Sequence, residues 1–168
     1  MKLFIQVEIG HWQESGYDKP WLHFASSLSS DMMGTDLDNQ SEAIVADLVV
    51  NLIGQSDKVF LLIQAHQPDL PLGAASKVFH YSLQHPERIG RVVLSGEHEE
   101  AERIAGGFDT KFIKESSEEK IKGLIKRWIK MGTFHVVPGE DQKRNKRNFI
   151  QVGASPSQHS APPHLAPL

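Results

Sequence analysis

The chain has 168 residues, a net charge of −3, 39% hydrophobic and 23% charged residues and no cysteine, a length that fits one domain with a real core. These values exclude a disulfide framework, a thiolate nucleophile and a cysteine-based zinc site, and no apolar run reaches the roughly 20 residues of a membrane helix. The net charge conceals a division: through Thr110 there are 7 Lys/Arg against 16 Asp/Glu, and beyond it 11 against 5. An acidic body with a basic end can steer partners of either sign or fold back on itself.

The amino end "MKLFIQVEIGHW" reads as a first strand and not as a signal peptide. Leu3, Ile5 and Val7 alternate with Lys2, Gln6 and Glu8, with Phe4 added, which predicts a strand with one well-buried face. Residues 10–38 are rich in Gly, Ser and Asp and broken by Pro20, with "WLHFASSL" as a second strand beside the first. From Ser41 the positions Ile44, Val45, Leu48, Val49, Leu52 and Ile53 repeat at helical spacing up to Gly54, which predicts a core helix. "KVFLLIQA" is a continuous apolar run of strand length, as in a central strand covered on both faces.

Pro71 suits a first helical turn, and Leu72, Ala75, Val78, Phe79 and Leu83 then share one side of a helix ended by Pro86. "RIGRVVLSG" predicts another strand, "EHEEAERIAGG" a short helix stopped by its glycines, and "TKFIKE" a further strand. Ile121, Leu124, Ile125, Trp128 and Ile129 form a helical stripe, with Ser116 and Glu119 spaced as a capping box. Beyond it "TFHVV" and "FIQV" have strand patterns, "KRNKRN" reads as a solvated basic linker, and the Pro-rich end has little to bury.

The alternation of strands and helices predicts an α/β fold: a small doubly wound, mostly parallel sheet of four to five strands with helices on both faces. One domain is expected over residues 1–137, followed by a basic linker and Pro/Ser/His-rich tail over 138–168. "KVFLLIQA", the loop with Asp69, its helix, "RIGRVVLSG", the acidic helix and "TKFIKESSEEKIKGLIKRWI" together resemble STAS-type domains, the anti-sigma-factor antagonist fold and its relatives, over about residues 58–128. That resemblance implies a non-enzymatic regulatory module that binds a partner protein. Some members are phosphorylated on a Ser or Thr at the start of the helix after the Asp-bearing strand. Here that place reads "DLPLGAAS", and its first hydroxyl, Ser76, is expected a full turn into the helix.

In open α/β sheets, ligands settle beyond the carboxyl ends of the strands. That edge should hold His11, Trp12 and Glu14, then His66, Gln67 and Asp69, then Ser95, Glu97 and His98, and finally Glu115 and Ser116. Imidazoles and carboxylates could serve acid/base chemistry or bind a metal if they converged. No His pair stands at helical ligand spacing, so no metal site is expected. No Gly-rich phosphate motif occurs, and the acids Glu42, Glu97, Glu99, Glu118 and Glu119 sit at helix starts, where they repel anionic ligands. No cofactor is therefore expected.

The segment "SSDMMGTDLDNQSE" reads as a loop whose Asp31, Asp36, Asp38 and Glu42 lie close together, either a carboxylate site or solvated helix caps. Two functions remain open. One is a cytoplasmic regulatory module that binds a protein or itself, but neither membrane nor nucleic acid, through Gln67, Asp69, Leu72, Gly73, Ser95, Glu97 and His98. The other is a small hydrolase or transferase acting on a nucleoside-like or other polar molecule through Asp31, Asp36, Asp38, Glu42, His11 and His66.

Overall fold

The computed structural model describes residues 1–14 and 18–131. The expected segments "TFHVV", "KRNKRN", "FIQV" and the Pro-rich tail lie outside the described residues. In chain order the elements are β1 (Lys2–Ile9), α1 (Pro20–Leu28), β2 (Met32–Asp38), α2 (Ala43–Gln55), β3 (Lys58–Ala65), α3 (Ala75–Gln84), β4 (Ile89–Gly96), α4 (Glu99–Ala105), a 3-10 segment (Gly106–Lys111), β5 (Phe112–Lys114) and α5 (Glu118–Met131). The five strands form one sheet in the order β2-β1-β3-β4-β5. Every pairing is parallel.

Handedness explains where the helices go. The step from β1 to β2 moves in one direction across the sheet, and the steps from β2 to β3, β3 to β4 and β4 to β5 all move in the other. Right-handed crossovers therefore put α1 on one face and α2, α3 and α4 on the opposite face. The core divides accordingly. Leu3, Ile5, Val7, Leu61 and Ile63 pack with Val49, Ile53, Val78 and Phe79 on the α2–α4 side. Phe4, Phe60, Leu62 and Val93 pack with Trp21, Ile121, Ile125 and Trp128 on the α1/α5 side. Phe4 stacks on Phe60, and Phe60 meets the Trp128 indole edge-on.

Several expectations are corrected here. "WLHFASSL" is not a strand but most of α1: Pro20 starts the helix, and Trp21 and Ala25 lie one helical turn apart on its buried side. The supposed carboxylate loop contains edge strand β2, whose Leu37 enters the core. The short polar residues of "MMGTDLD" hid a strand that β1 imposes by pairing with it along its whole length. β1 itself is covered on both faces, so Gln6 and Glu8 are buried instead of facing water. On α2, Val49 and Ile53 are core residues while Ile44 and Leu48 are exposed.

Pro71 precedes α3 instead of opening it, because the helix begins at Ala75. Ser76 therefore lies in the first turn and not a full turn inward. Ser116 does not cap α5; its Oγ accepts the Gly96 N–H at 3.4 Å. No helix among the described residues is long and apolar enough to cross a membrane.

Leu61 is fully buried at the centre of β3. Its replacement by Ala is expected to cost about 2 to 5 kcal/mol, read as a lowered urea midpoint with an unchanged slope.

Candidate functional site

The direction switch in strand order lies between β1 and β3, and the crevice rule places a ligand beyond their carboxyl ends. There the α1/α5 face of the sheet turns from apolar to polar. Gln6, Glu8 and Gln64 follow Phe4, Phe60 and Leu62 along the alternation of β1 and β3. The Gln6 amide nitrogen donates to Glu8 Oε1 at 2.7 Å and to Gln64 Oε1 at 2.8 Å. Lys19, just before α1, brings its ammonium within 3.0 Å of Glu8 Oε2 and 3.6 Å of Asp36 Oδ2. Gln6 is 1% and Glu8 5% exposed. Among the described residues, Gln6 Oε1 and Glu8 Oε2 have no partner in hydrogen-bond geometry, although Lys19 supplies the compensating charge.

The loops above this layer are tied to each other. Asn39, which follows β2, accepts the Gly10 N–H on its side-chain oxygen at 3.1 Å and donates its own N–H to the Glu8 carbonyl at 3.0 Å. Its carbonyl accepts from Ala74 at 3.4 Å, so one residue joins the chain after β1, β2 and β3. Gly73 has φ +51°, and a Cβ there would stand 1.8 Å from the Asn39 oxygen. Gly96 has φ +96°, with the Ala65 carbonyl 2.1 Å from where its Cβ would be. Both glycines are required for these close approaches, since a side chain would meet backbone in an unfavourable left-handed conformation.

On the rim, Glu14 accepts the His11 N–H at 2.8 Å and the Gln67 amide at 2.6 Å. The Gln67 bond, then the His11 bond, hold its carboxyl below the usual glutamate range, and His11 and His66 add to the effect. The Glu14 contact therefore contributes above the ordinary glutamate range and is lost as pH falls through the lowered value. Asp38 accepts from the Gln40 N–H at 2.9 Å and from the Ser41 hydroxyl at 3.0 Å, an ordinary turn at the entrance to α2.

Further along the edge, Pro68–Pro71 and Glu97–Arg103 face each other across a shallow groove. His98 is buried beneath it as the cap of α4. Its Nδ1 accepts the Ala101 N–H at 3.1 Å, so Nε2 carries the hydrogen and donates to the Leu70 carbonyl at 2.7 Å. With both nitrogens engaged, the ring joins the two walls and has no free position for proton transfer. Asp69, Glu97, Glu99, Glu100 and Glu102 line the groove, with Arg103 as its one lining cation. Lys114 reaches Glu102 at 2.6 Å and Glu97 at 2.8 Å, and those two bonds hold its ammonium pKa above the ordinary lysine range.

Of the residues proposed for catalysis, Asp31 lies at the amino edge of the sheet and the others at the carboxyl edge. Asp31 and Asp38 sit at opposite ends of β2, about 23 Å apart at strand rise. Asp36 turns toward Lys19, Glu42 stands at the N-cap position of α2 without a side-chain cap bond, and His11 and His66 lie near Glu14. No group of three metal-ligating side chains forms among the described residues. Of the residues proposed for partner contact, Asp69, Glu97 and His98 line the groove, Gln67 is bonded to Glu14, and Ser95 is half-buried on β4. Leu72 is 2% exposed within the core, and Gly73 is fixed against Asn39. Sequence reasoning missed Gln6, Lys19, Asn39 and Gln64. Comparison of the chain with protein-family models, curated proteins and solved structures gave no match.

Two substitutions test this architecture. Lys19→Met removes the charge opposite Glu8 and is expected to cost about 2 kcal/mol, less than the ~3–5 kcal/mol of a fully enclosed pair because Lys19 keeps some solvent contact. Adding Glu8→Gln should recover part of that loss in chemical denaturation. Asn39→Ala leaves the Gly10 N–H without its acceptor and is expected to cost about 1 to 3 kcal/mol, with faster amide exchange at Gly10 and Ala74.

Proposed function

We propose that the protein is a non-enzymatic, cytoplasmic regulatory module that binds a partner protein at the carboxyl edge of its sheet, as the resemblance to STAS-type domains implies. The observation that carries this reading is the shallow groove walled by Asp69, Glu97, Glu99, Glu100 and Glu102. Such a surface attracts a basic segment of a partner and repels nucleotides and other anions. The state of the surrounding groups supports binding over chemistry. His98 is used at both ring nitrogens, Glu14 and Asp38 are hydrogen-bonded to neighbouring loop groups, and Asp36 faces Lys19. Ser76, in the first turn of α3 and hydrogen-bonded toward His80 at 3.2 Å, occupies the place at which a phosphate would alter the same edge.

The test is titration of the full chain with a Lys/Arg-rich peptide, an acidic peptide of equal length, and ATP, GTP and NAD. The basic peptide is expected to bind with salt-sensitive affinity, and Asp69→Lys with Glu97→Lys should weaken it at least tenfold. These exposed changes should alter stability by no more than roughly half a kcal/mol. Micromolar nucleotide binding that is lost in the same double variant would overturn the binding-module reading.

A further inference from the structure

We propose that the opposite, amino edge of the sheet holds a second binding site, for a single-chain amphiphilic anion: a carboxylate or phosphate head on an aliphatic body. A cavity of about 630 Å³ opens there between the starts of β3–β5 and the last turns of α5. That volume is within the range of small-molecule sites, roughly 300 to 1,000 Å³. Lys2, Lys58, Arg91, Lys111 and Arg127 line it, with no carboxylate among its lining residues. The rest of the lining is chiefly apolar, with Ile113, Leu124 and Trp128 presenting the side of α5 and β5 that faces inward.

The cations differ in how far they are already engaged. Lys2 donates to the Ile129 carbonyl, Lys58 to the Glu87 carbonyl at 2.9 Å, and Lys111 to the Pro86 carbonyl. These bonds satisfy carbonyls in the last turn of α5 and in the turn before β4 but leave each positive charge without an opposing carboxylate. Arg91 has only a 3.4 Å contact to the Thr110 carbonyl. Arg127 has no hydrogen-bond or ion-pair partner among the described residues, and neither has the Trp128 indole N–H. Trp128 lies directly over Gly90, where a Cβ would stand 2.5 Å from the indole nitrogen. The glycine thus permits the ring to form part of the wall of the cavity that Arg91 and Arg127 also line.

Charge and surface together select the occupant. A bare anion would leave the apolar wall in water, and a neutral hydrocarbon would leave five like charges facing one another. An amphiphilic anion satisfies both: the head accepts from Arg91, Arg127 and the indole, and the body covers Leu124 and Ile113. Its binding should weaken with salt, because the attraction includes partly exposed cations.

The experiment is calorimetric titration of the full chain, below micellar concentrations, with decyl phosphate, decanoate, decyltrimethylammonium and inorganic phosphate. Both amphiphilic anions are expected to bind in the micromolar range, with inorganic phosphate and the cationic amphiphile at least tenfold weaker. Arg91→Gln and Arg127→Gln should each reduce decyl phosphate affinity several-fold without moving the melting temperature. Gly90→Ala should displace the indole and reduce affinity as well, visible as an altered Trp128 emission. Asp69→Lys with Glu97→Lys should leave this binding unchanged, which separates it from the carboxyl-edge reading. Equal binding of the cationic amphiphile, indifference to both arginine changes, or no binding by either anion would overturn the proposal.

Discussion

Because every strand is parallel, each connecting helix must start at the carboxyl edge of the sheet and finish at the amino edge. The electrostatics of the fold follow from that constraint. Exposed N–H groups and the positive dipole ends collect at one edge, and exposed carbonyls at the other. The sequence answers both. Glu42 precedes α2, Glu99, Glu100 and Glu102 lie in the first turn of α4, and Glu118 and Glu119 open α5. At the other edge, Lys2 reaches the last turn of α5 and Arg88 the Ser56 carbonyl just past α2, the latter at 2.8 Å. The two edges consequently carry opposite charge, although the chain as a whole is near neutrality.

Some of the fold was legible because composition and covering coincide. "KVFLLIQA" and "RIGRVVLSG" are apolar enough to be read as central strands, and the α5 stripe has an unbroken helical period. The misread region was the one in which tertiary pairing outweighs local preference. β2 contains Gly34 and two Asp, and only its register against β1 makes it a strand. Helix α1 follows a Gly/Ser-rich stretch and has no side-chain cap, so its amino end gave little signal beyond Pro20.

The site was less legible than the fold. Gln6 and Glu8 have the alternation of a solvent-facing strand edge, and nothing in that pattern indicates that α1 and Lys19 close over them. Asn39 stands in a polar stretch that gives no sign of its role, which comes from three segments far apart in sequence. Asp69 and Glu97 could be placed together from the rule that loops of successive parallel strands share an edge. His98 could not be assigned from sequence, because an imidazole in a loop looks the same whether it is open to substrate or used at both nitrogens.

The position of β1 has a consequence for how the molecule is made. β1 precedes every other strand in the chain, yet it lies between β2 and β3 and has apolar side chains on both faces. Its second sheet neighbour ends at Ala65, and the α5 residues that complete its Phe4 side begin at Glu118. During synthesis from the amino end, a strand with apolar side chains on both faces therefore emerges before both of its sheet neighbours and is enclosed only after them. Throughout that interval "KLFIQVEI" is an uncovered β-forming strand on the nascent chain, and its protection falls to whatever engages the emerging polypeptide before its own partners exist.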